Sequence, residues 1–267
     1  MINIERLVSE IDAQLIFRTR FEGNVWKIDV KGIHYWKLNK ILKVLNDRGV
    51  KKIELYNVHG QRYIGTNLKS KVNVEVYGTP GNDLGAFMNG PEIVVHGNVQ
   101  DCCGNTMNEG SIIVHGNAGD ITGYSMRGGK IFIRNSTGYR VGVHMKEYGN
   151  KRPCLVIGGT AQDFVGEYMA GGIIAILGLN LKSGEHHKAR FVGTGMHGGV
   201  IYIHGKVRSI SKEAEAVNLN EEDWKILYKI VEEFCRCFKF DAEKILEQNF
   251  KKIIPVSHRP YGMLYAY

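Results

Sequence analysis

Gly158-Gly-Thr-Ala-Gln-Asp-Phe-Val-Gly166-Glu-Tyr-Met169-Ala-Gly-Gly172-Ile-Ile-Ala-Ile176-Leu177 is the stretch on which the fold turns. It joins a Gly-x-x-Met word, a glycine pair and an apolar alternation. The word recurs as Gly85-Ala-Phe-Met88, Gly104-Asn-Thr-Met107, Gly123-Tyr-Ser-Met126, Gly142-Val-His-Met145 and Gly193-Thr-Gly-Met196. Apolar segments recur with it: Ile93-Val-Val95, Ile112-Ile-Val114, Ile131-Phe-Ile133, Leu155-Val-Ile157, Ile174-Ala-Ile176 and Ile201-Tyr-Ile203. Aligning the chain on itself gives Tyr77, His96, His115, Arg134, Gly158, Leu177 and His204 as equivalent positions, spaced 19, 19, 19, 24, 19 and 27. The longer spacings carry insertions at 147–153 and 179–190.

The apolar segments read as short strands. A 19-residue period has no room for a helix and a strand in each repeat, so every strand pairs in parallel with its equivalent in the next coil. The expected fold is mainly β: a right-handed parallel β-helix, a single-stranded solenoid of six coils over 77–205, since parallel crossovers are overwhelmingly right-handed. Four inward columns follow: Leu84/Cys103/Thr122/Val141/Val165/Val192, the six methionines, the Ile93 series and the Val95 series. Glycine pairs such as Gly128-Gly129, Gly171-Gly172 and Gly198-Gly199 mark corners, where positive φ or close backbone approach is needed.

Bare solenoid ends would expose strand edges, so both flanks read as caps. Residues 1–76 form an α/β N-terminal cap and an irregular first coil, with strands at Trp26–Val30 and Lys52–Tyr56 around an amphipathic helix from His34 to Arg48. Residues 206–267 form a helical C-terminal extension and tail. Asn220 caps a helix to about Phe238, Asp241 caps another to about Phe250, and Ser257–Tyr267 is extended.

Composition narrows the class. The 33 glycines come with only five prolines, which excludes collagen-like and disordered compositions. Charges interrupt the opening residues where a signal peptide would be apolar, and no apolar run approaches the ~18 residues of a membrane span, so a cytoplasmic protein is expected. Five cysteines argue for reduced thiols. The net charge of +8 is uneven: 13 basic and 7 acidic residues over 1–70, 11 and 10 over 71–205, and 11 and 10 over 206–267. Without a run of bases interleaved with aromatics or a recognition motif, neither nucleic acid nor a membrane is expected as a partner.

The repeated Gly-x-x-Met-x-Gly-Gly-x-Ile, with the 158–172 segment, resembles the GXGXG domain at the C-terminus of the glutamate synthase large subunit, over at least residues 25–205. Stand-alone archaeal and bacterial relatives of that domain look closer, through segments like Gly60-Gln-Arg-Tyr-Ile-Gly65 and Gly78-Thr-Pro-Gly-Asn-Asp-Leu-Gly85. One of the subunits of formylmethanofuran dehydrogenase is similar more distantly. The resemblance implies a β-helix without catalytic residues, with glutaminase and FMN/iron–sulfur chemistry in partner subunits. This chain lacks an N-terminal nucleophilic cysteine, because Ile2 follows Met1, and has no cysteine cluster suited to an iron–sulfur centre. The expectation is therefore a non-catalytic structural subunit of a glutamate synthase-type amidotransferase/oxidoreductase complex in nitrogen metabolism and glutamate biosynthesis. It binds no cofactor or metal itself, and partners hold the FMN and iron–sulfur clusters. The alternatives are a stand-alone oligomeric scaffold or regulatory protein in nitrogen metabolism, possible as a homo-oligomer, and behind it a solenoid acyltransferase.

Weighing the chemistry-bearing residues supports no catalytic, cofactor or metal site. His96 and His115 share a coil position, but the column continues through Arg134 without a third ligand. Glu185-His186-His187 lies in the 179–190 insertion and reads as a solvated loop whose function is open. Cys103 falls in an inward column, with Cys102 pointing away, and Cys235 and Cys237 face different sides of a helix. The methionines are core. Asp101, Asp120 and Asp163 recur as turn residues that bond nearby backbone. Gly158–Gly166 lacks the Gly-Lys-Ser/Thr ending of a phosphate loop.

Overall fold

The computed structural model describes residues 17–247 and 249–258. Strand β1 (Thr19–Glu22) pairs antiparallel with β2 (Val25–Asp29). A parallel ladder then runs from β2 through β3 (Lys52–His59), β4 (Asn73–Thr79), β5 (Asn89–His96), β6 (Glu109–Val114), β7 (Lys130–Ile133), β8 (Cys154–Ile157) and β9 (Ala170–Ile176) to β10 (Gly198–His204). The register is that of the sequence repeat, with Ile93, Ile112, Ile131, Leu155, Ile174 and Ile201 stacked in order.

All four inward columns are buried, each member at 2 % exposure or less. Stacking keeps like side chains in contact along the axis, so the core is continuous from Ile28 and Ile53 to Ile203 and Ile253. Thr122, the one hydroxyl in these columns, donates to the Gly119 carbonyl at 3.1 Å and so costs little to bury. Residues 60–76 carry the same columns upstream: Ile64 and Leu68 are buried, and the Gly85 amide donates to the Ile64 carbonyl at 2.8 Å.

Helix α1 (Tyr35–Asp47) stands between β2 and β3 in place of a coil turn. Its Leu38, Ile41, Leu42 and Leu45, at helical spacing, enter the solenoid core and close its first end.

The other end carries the expected helices and, beside them, two strands. Strand β11 (Ala214–Val217) and strand β12 (Phe250–Pro255) occupy segments read as irregular or helical. Strand β12 pairs antiparallel with β10, and β11 pairs with β12. The terminal edge of the ladder is thereby covered by a strand, and among the described residues the four-residue β1 and β11 are the edges. The short helix α3 (Ala242–Leu246), capped by Asp241 as expected, stops well before Phe250 because the chain must extend to reach β10.

Helix α2 (Glu221–Phe238) begins with a reciprocal cap: the Asp223 amide donates to Asn220 Oδ1 at 2.9 Å, and the Asn220 amide to Asp223 Oδ2 at 3.0 Å. It lays Leu227, Ile230, Val231, Phe234 and Phe238 on the outward face of the later strands, against Phe132, Val156, Ala175 and Tyr202. This second core explains why the later strands are apolar on both faces, whereas β3 and β4 present Glu54 and Glu75 outward. Residues 259–267, most of the tail expected to be extended, lie outside the described residues, and so do residues 1–16. No helix among the described residues is long and apolar enough to cross a membrane.

Candidate functional site

The turn joining each inward residue to its methionine has an unusual local geometry. The residue before each member of the Leu84 column and the residue before each methionine in the first five coils adopt positive φ: Asp83 (62°) and Phe87 (58°), Cys102 (59°) and Thr106 (51°), Ile121 (58°) and Ser125 (49°). Such φ values disfavour β-branched residues like Ile121. What holds them is a two-way exchange of backbone bonds. The Cys102 amide donates forward to Asp120 O at 2.9 Å, the Gly104 amide back to Leu84 O at 2.8 Å, and the Thr106 amide forward to Tyr124 O at 2.7 Å. The same exchange repeats up the solenoid.

Outside the core, chemistry-bearing residues form ladders that serve the architecture. Asp101 Oδ1 accepts the Asp120 amide at 2.9 Å, Asp120 Oδ1 accepts the Tyr139 amide at 2.8 Å, and Asp163 Oδ1 accepts the Arg190 amide at 2.8 Å. Arg190 also grips Asp163 Oδ2 through Nη2 at 2.8 Å, and its guanidinium holds that carboxyl below the usual range. The expected role of these carboxylates, bonding nearby backbone, is the role the structure gives them.

His96 and His115 lie in a ring column on the outer sheet face, Tyr56–Tyr77–His96–His115, with centroids 4.8, 4.5 and 5.2 Å apart. His96 Nε2 is 2.6 Å from Glu75 Oε2, and His115 meets the edge of Phe238. Burial, then His96 and Arg134, lower the His115 pKa. Among the described residues no group of three or more His, Cys, Asp or Glu is placed to hold a metal ion. Cys103 is fully buried, which pushes its thiol up to about 12, whereas Cys102 is half-buried. Cys235 lies on the buried side of α2 and Cys237 is turned partly outward.

The 179–190 insertion corrects one expectation. Glu185 and His186 are exposed, but His187 is completely buried. Its amide donates to Lys206 O at 2.9 Å, and its Nε2 donates to His204 O at 2.6 Å. Among the described residues neither His187 Nδ1 nor His204 Nδ1 has a hydrogen-bond partner, and burial lowers the pKa of both rings. The insertion falls outside the 19-residue period, so no column indicated which of its residues faces in.

A cleft of about 340 Å³ opens where β10, β12 and the start of α2 meet. In it the Tyr202 hydroxyl donates to Asp223 Oδ1 at 2.8 Å, and Lys252 Nζ lies 2.8 Å from Oδ1 and 3.0 Å from Oδ2. Burial raises the Asp223 carboxyl, but the bonds from Lys252, the Asn220 amide and Tyr202 outweigh it and hold the group ionised. Burial, with the bond to Asp223, pushes the Tyr202 hydroxyl up. Tyr202, Lys252 and Asp223 are committed to one another, so the network ties helix to sheet. Sequence reasoning missed it because its members are far apart in the chain. The Asn220-x-x-Asp223 spacing was the one signal for part of it.

The repeat, the positive-φ glycines and the buried methionine column coincide with a family model described as the GXGXG motif, which matches residues 37–256. The chain belongs to the GXGXG motif family. Over 249 residues this GXGXG chain is 50% identical to an uncharacterized protein of Methanocaldococcus jannaschii, covering 90% of this chain and 95% of the relative. Its fold aligns with a chain of the formyltransferase/hydrolase complex FhcABCD of Methylorubrum extorquens, solved with methylofuran. The TM-score is 0.60 at 15% identity, over 86% of this chain and 96% of that one. At that identity the likeness establishes fold. These findings overturn the expected assignment to glutamate synthase. A solved assembly with a chain that matches this fold nearly end to end is a formyltransferase/hydrolase complex, and the family match is to the GXGXG motif. The nitrogen-metabolism role, the glutamate synthase activity and the glutaminase-like and FMN/iron–sulfur partners are corrected with it.

Proposed function

We propose that this GXGXG chain is a structural subunit of a multi-chain complex of the formyltransferase/hydrolase type, working in the cytoplasm and positioning catalytic chains without reacting itself. The observation that carries the reading is the alignment of the fold over 96% of the length of a chain from such a complex. The distant sequence resemblance to a formylmethanofuran dehydrogenase subunit points the same way. The chemistry agrees, because the recurrent carboxylates, His96, His115, His187 and the cleft network are spent on holding coils and caps together. We assign no catalytic, cofactor-binding or metal-binding residue to the chain. Six coils over 77–205 form the rigid body, and the 1–76 and 206–267 caps close it.

The test is purification of the tagged protein from its own cell extract, with mass spectrometry of the bound chains. Formyltransferase- or hydrolase-type chains in fixed ratio are expected. Recovery of this chain alone would overturn the proposal.

A further inference from the structure

Of the net +8, residues 1–70 contribute +6, with 13 basic and 7 acidic residues, and the fold brings bases from two stretches of this region together. Helix α1 packs along the 62–70 segment: Asn39 Nδ2 donates to the Arg62 carbonyl at 2.9 Å, the Tyr35 and Tyr63 rings lie 5.8 Å apart, and the Lys69 amide donates to Asn46 Oδ1 at 3.4 Å. Lys40, Lys43 and Arg48 of the helix region and Arg62 and Lys69 of the neighbouring coil are all exposed. Over 30–53 and 60–72 the only acidic residue is Asp47. Elsewhere in the chain, acids and bases balance. Trp36, 51% exposed, sits one helical turn before Lys40, at the edge of this surface. The sequence showed no cluster of bases and aromatics because the two stretches that form it are separated by strand β3.

We propose that this basic end of the solenoid, centred on α1, is the docking surface for an acidic face of another protein chain in the assembly. The inference rests on the subunit reading and names one of its contacts. Charge complementarity sets the partner's chemistry: a surface carrying Asp and Glu, with Trp36 as an apolar anchor and the bases as a steering rim. A nucleic acid fits less well, because stacking on bases needs open ring faces. Lys37 Nζ lies 5.9 Å over the Trp36 ring, and Tyr35 and Tyr63 already face each other.

The test is carbodiimide cross-linking of the native assembly. The reagent activates a carboxyl and leaves as its urea when a lysine amine displaces it, so an amide bond joins Lys40 or Lys43 directly to a partner Asp or Glu. Such links to one other chain are expected, unaffected by nuclease. The double charge reversal K40E/K43E, with an unchanged circular dichroism spectrum, should cut recovery of that chain about tenfold at low salt, and K40R/K43R should restore it. Formyltransferase- or hydrolase-type chains recovered equally with K40E/K43E would overturn this inference alone. So would bound material released by nuclease, or equal acetylation of Lys40 and Lys43 in the free and assembled protein. Recovery of no partner by the wild type would overturn the subunit reading with it.

Discussion

Gly104→Ala separates the two reasons why the solenoid needs glycine in its turns. Gly104 has φ +72°, where an L-residue costs about 1–2 kcal/mol. A Cβ there would also lie 2.3 Å from Ile131 Cδ1, in a fully buried column that cannot give way freely. Overpacking of that kind adds about 1–3 kcal/mol, so the variant should lose about 2–5 kcal/mol in all. Gly32→Ala isolates the first part: its φ is +71° and nothing lies within 4 Å of the added carbon, so it should lose only about 1–2 kcal/mol. Ile131→Val removes the clashing methyl and alone costs about 0.5–1.5 kcal/mol. Combined with Gly104→Ala it should cost less than the sum of the two, by about 1–2 kcal/mol, because the overlap is gone. Urea unfolding followed by circular dichroism reads all four proteins, provided the m-value is unchanged. If Gly104→Ala costs no more than Gly32→Ala, or Ile131→Val brings no relief, the packing of the turn glycines against the Ile131 column is wrongly described.

Other consequences follow from the polar networks. Tyr202→Phe should lose about 1 kcal/mol, while Asp223→Ala should lose about 3–5 kcal/mol by stranding Lys252 and the helix cap, both read by urea unfolding. Asp163 has its pKa lowered by Arg190, so its contribution is complete above the unfolded carboxylate value near 3.9 and fades as pH falls through the lower folded value. Asp163→Asn should therefore be less stable than wild type at pH 7, with the gap closing as pH falls below about 4 in thermal melts. His187 has its pKa lowered by burial, so its neutral form is favoured in the fold and stability is lost as pH drops below about 6.5. Protection of the 179–190 amides, after allowance for the slower base-catalysed exchange at lower pH, should fall as pH drops below about 6.5 in wild type but not in His187→Phe, which keeps a ring that cannot take a proton.

What could be read from sequence was what repeats. A column such as Leu84–Cys103–Thr122 declares its facing because six copies vote for it, and even the cysteine and threonine in it were placed inward. The helix starting after Asn220 was legible from its cap. Features without a periodic counterpart were not. Phe250–Pro255 was read as following on from a helix because its pairing partner, β10, lies far back in the chain and runs antiparallel to it. His187 sits in a unique insertion, so no equivalent position told whether it faced in. The left-handed conformations of Ile121 and Phe164 oppose local preference and come from bonds to neighbouring coils. The tie of Tyr202 and Lys252 to Asp223 and the basic surface around α1 arise only when separated segments meet. The partner assignment failed for another reason: the Gly-x-x-Met repeat specifies a scaffold, and one scaffold can serve different assemblies.

The most direct test of the account is the native mass of the endogenous protein, by size-exclusion chromatography with light scattering, with the chains in the peak identified by mass spectrometry. The account predicts a species well above the 30.0 kDa of this chain, containing formyltransferase- or hydrolase-type chains in fixed ratio. A peak at 30.0 kDa or a multiple of it, holding this chain alone, would contradict it.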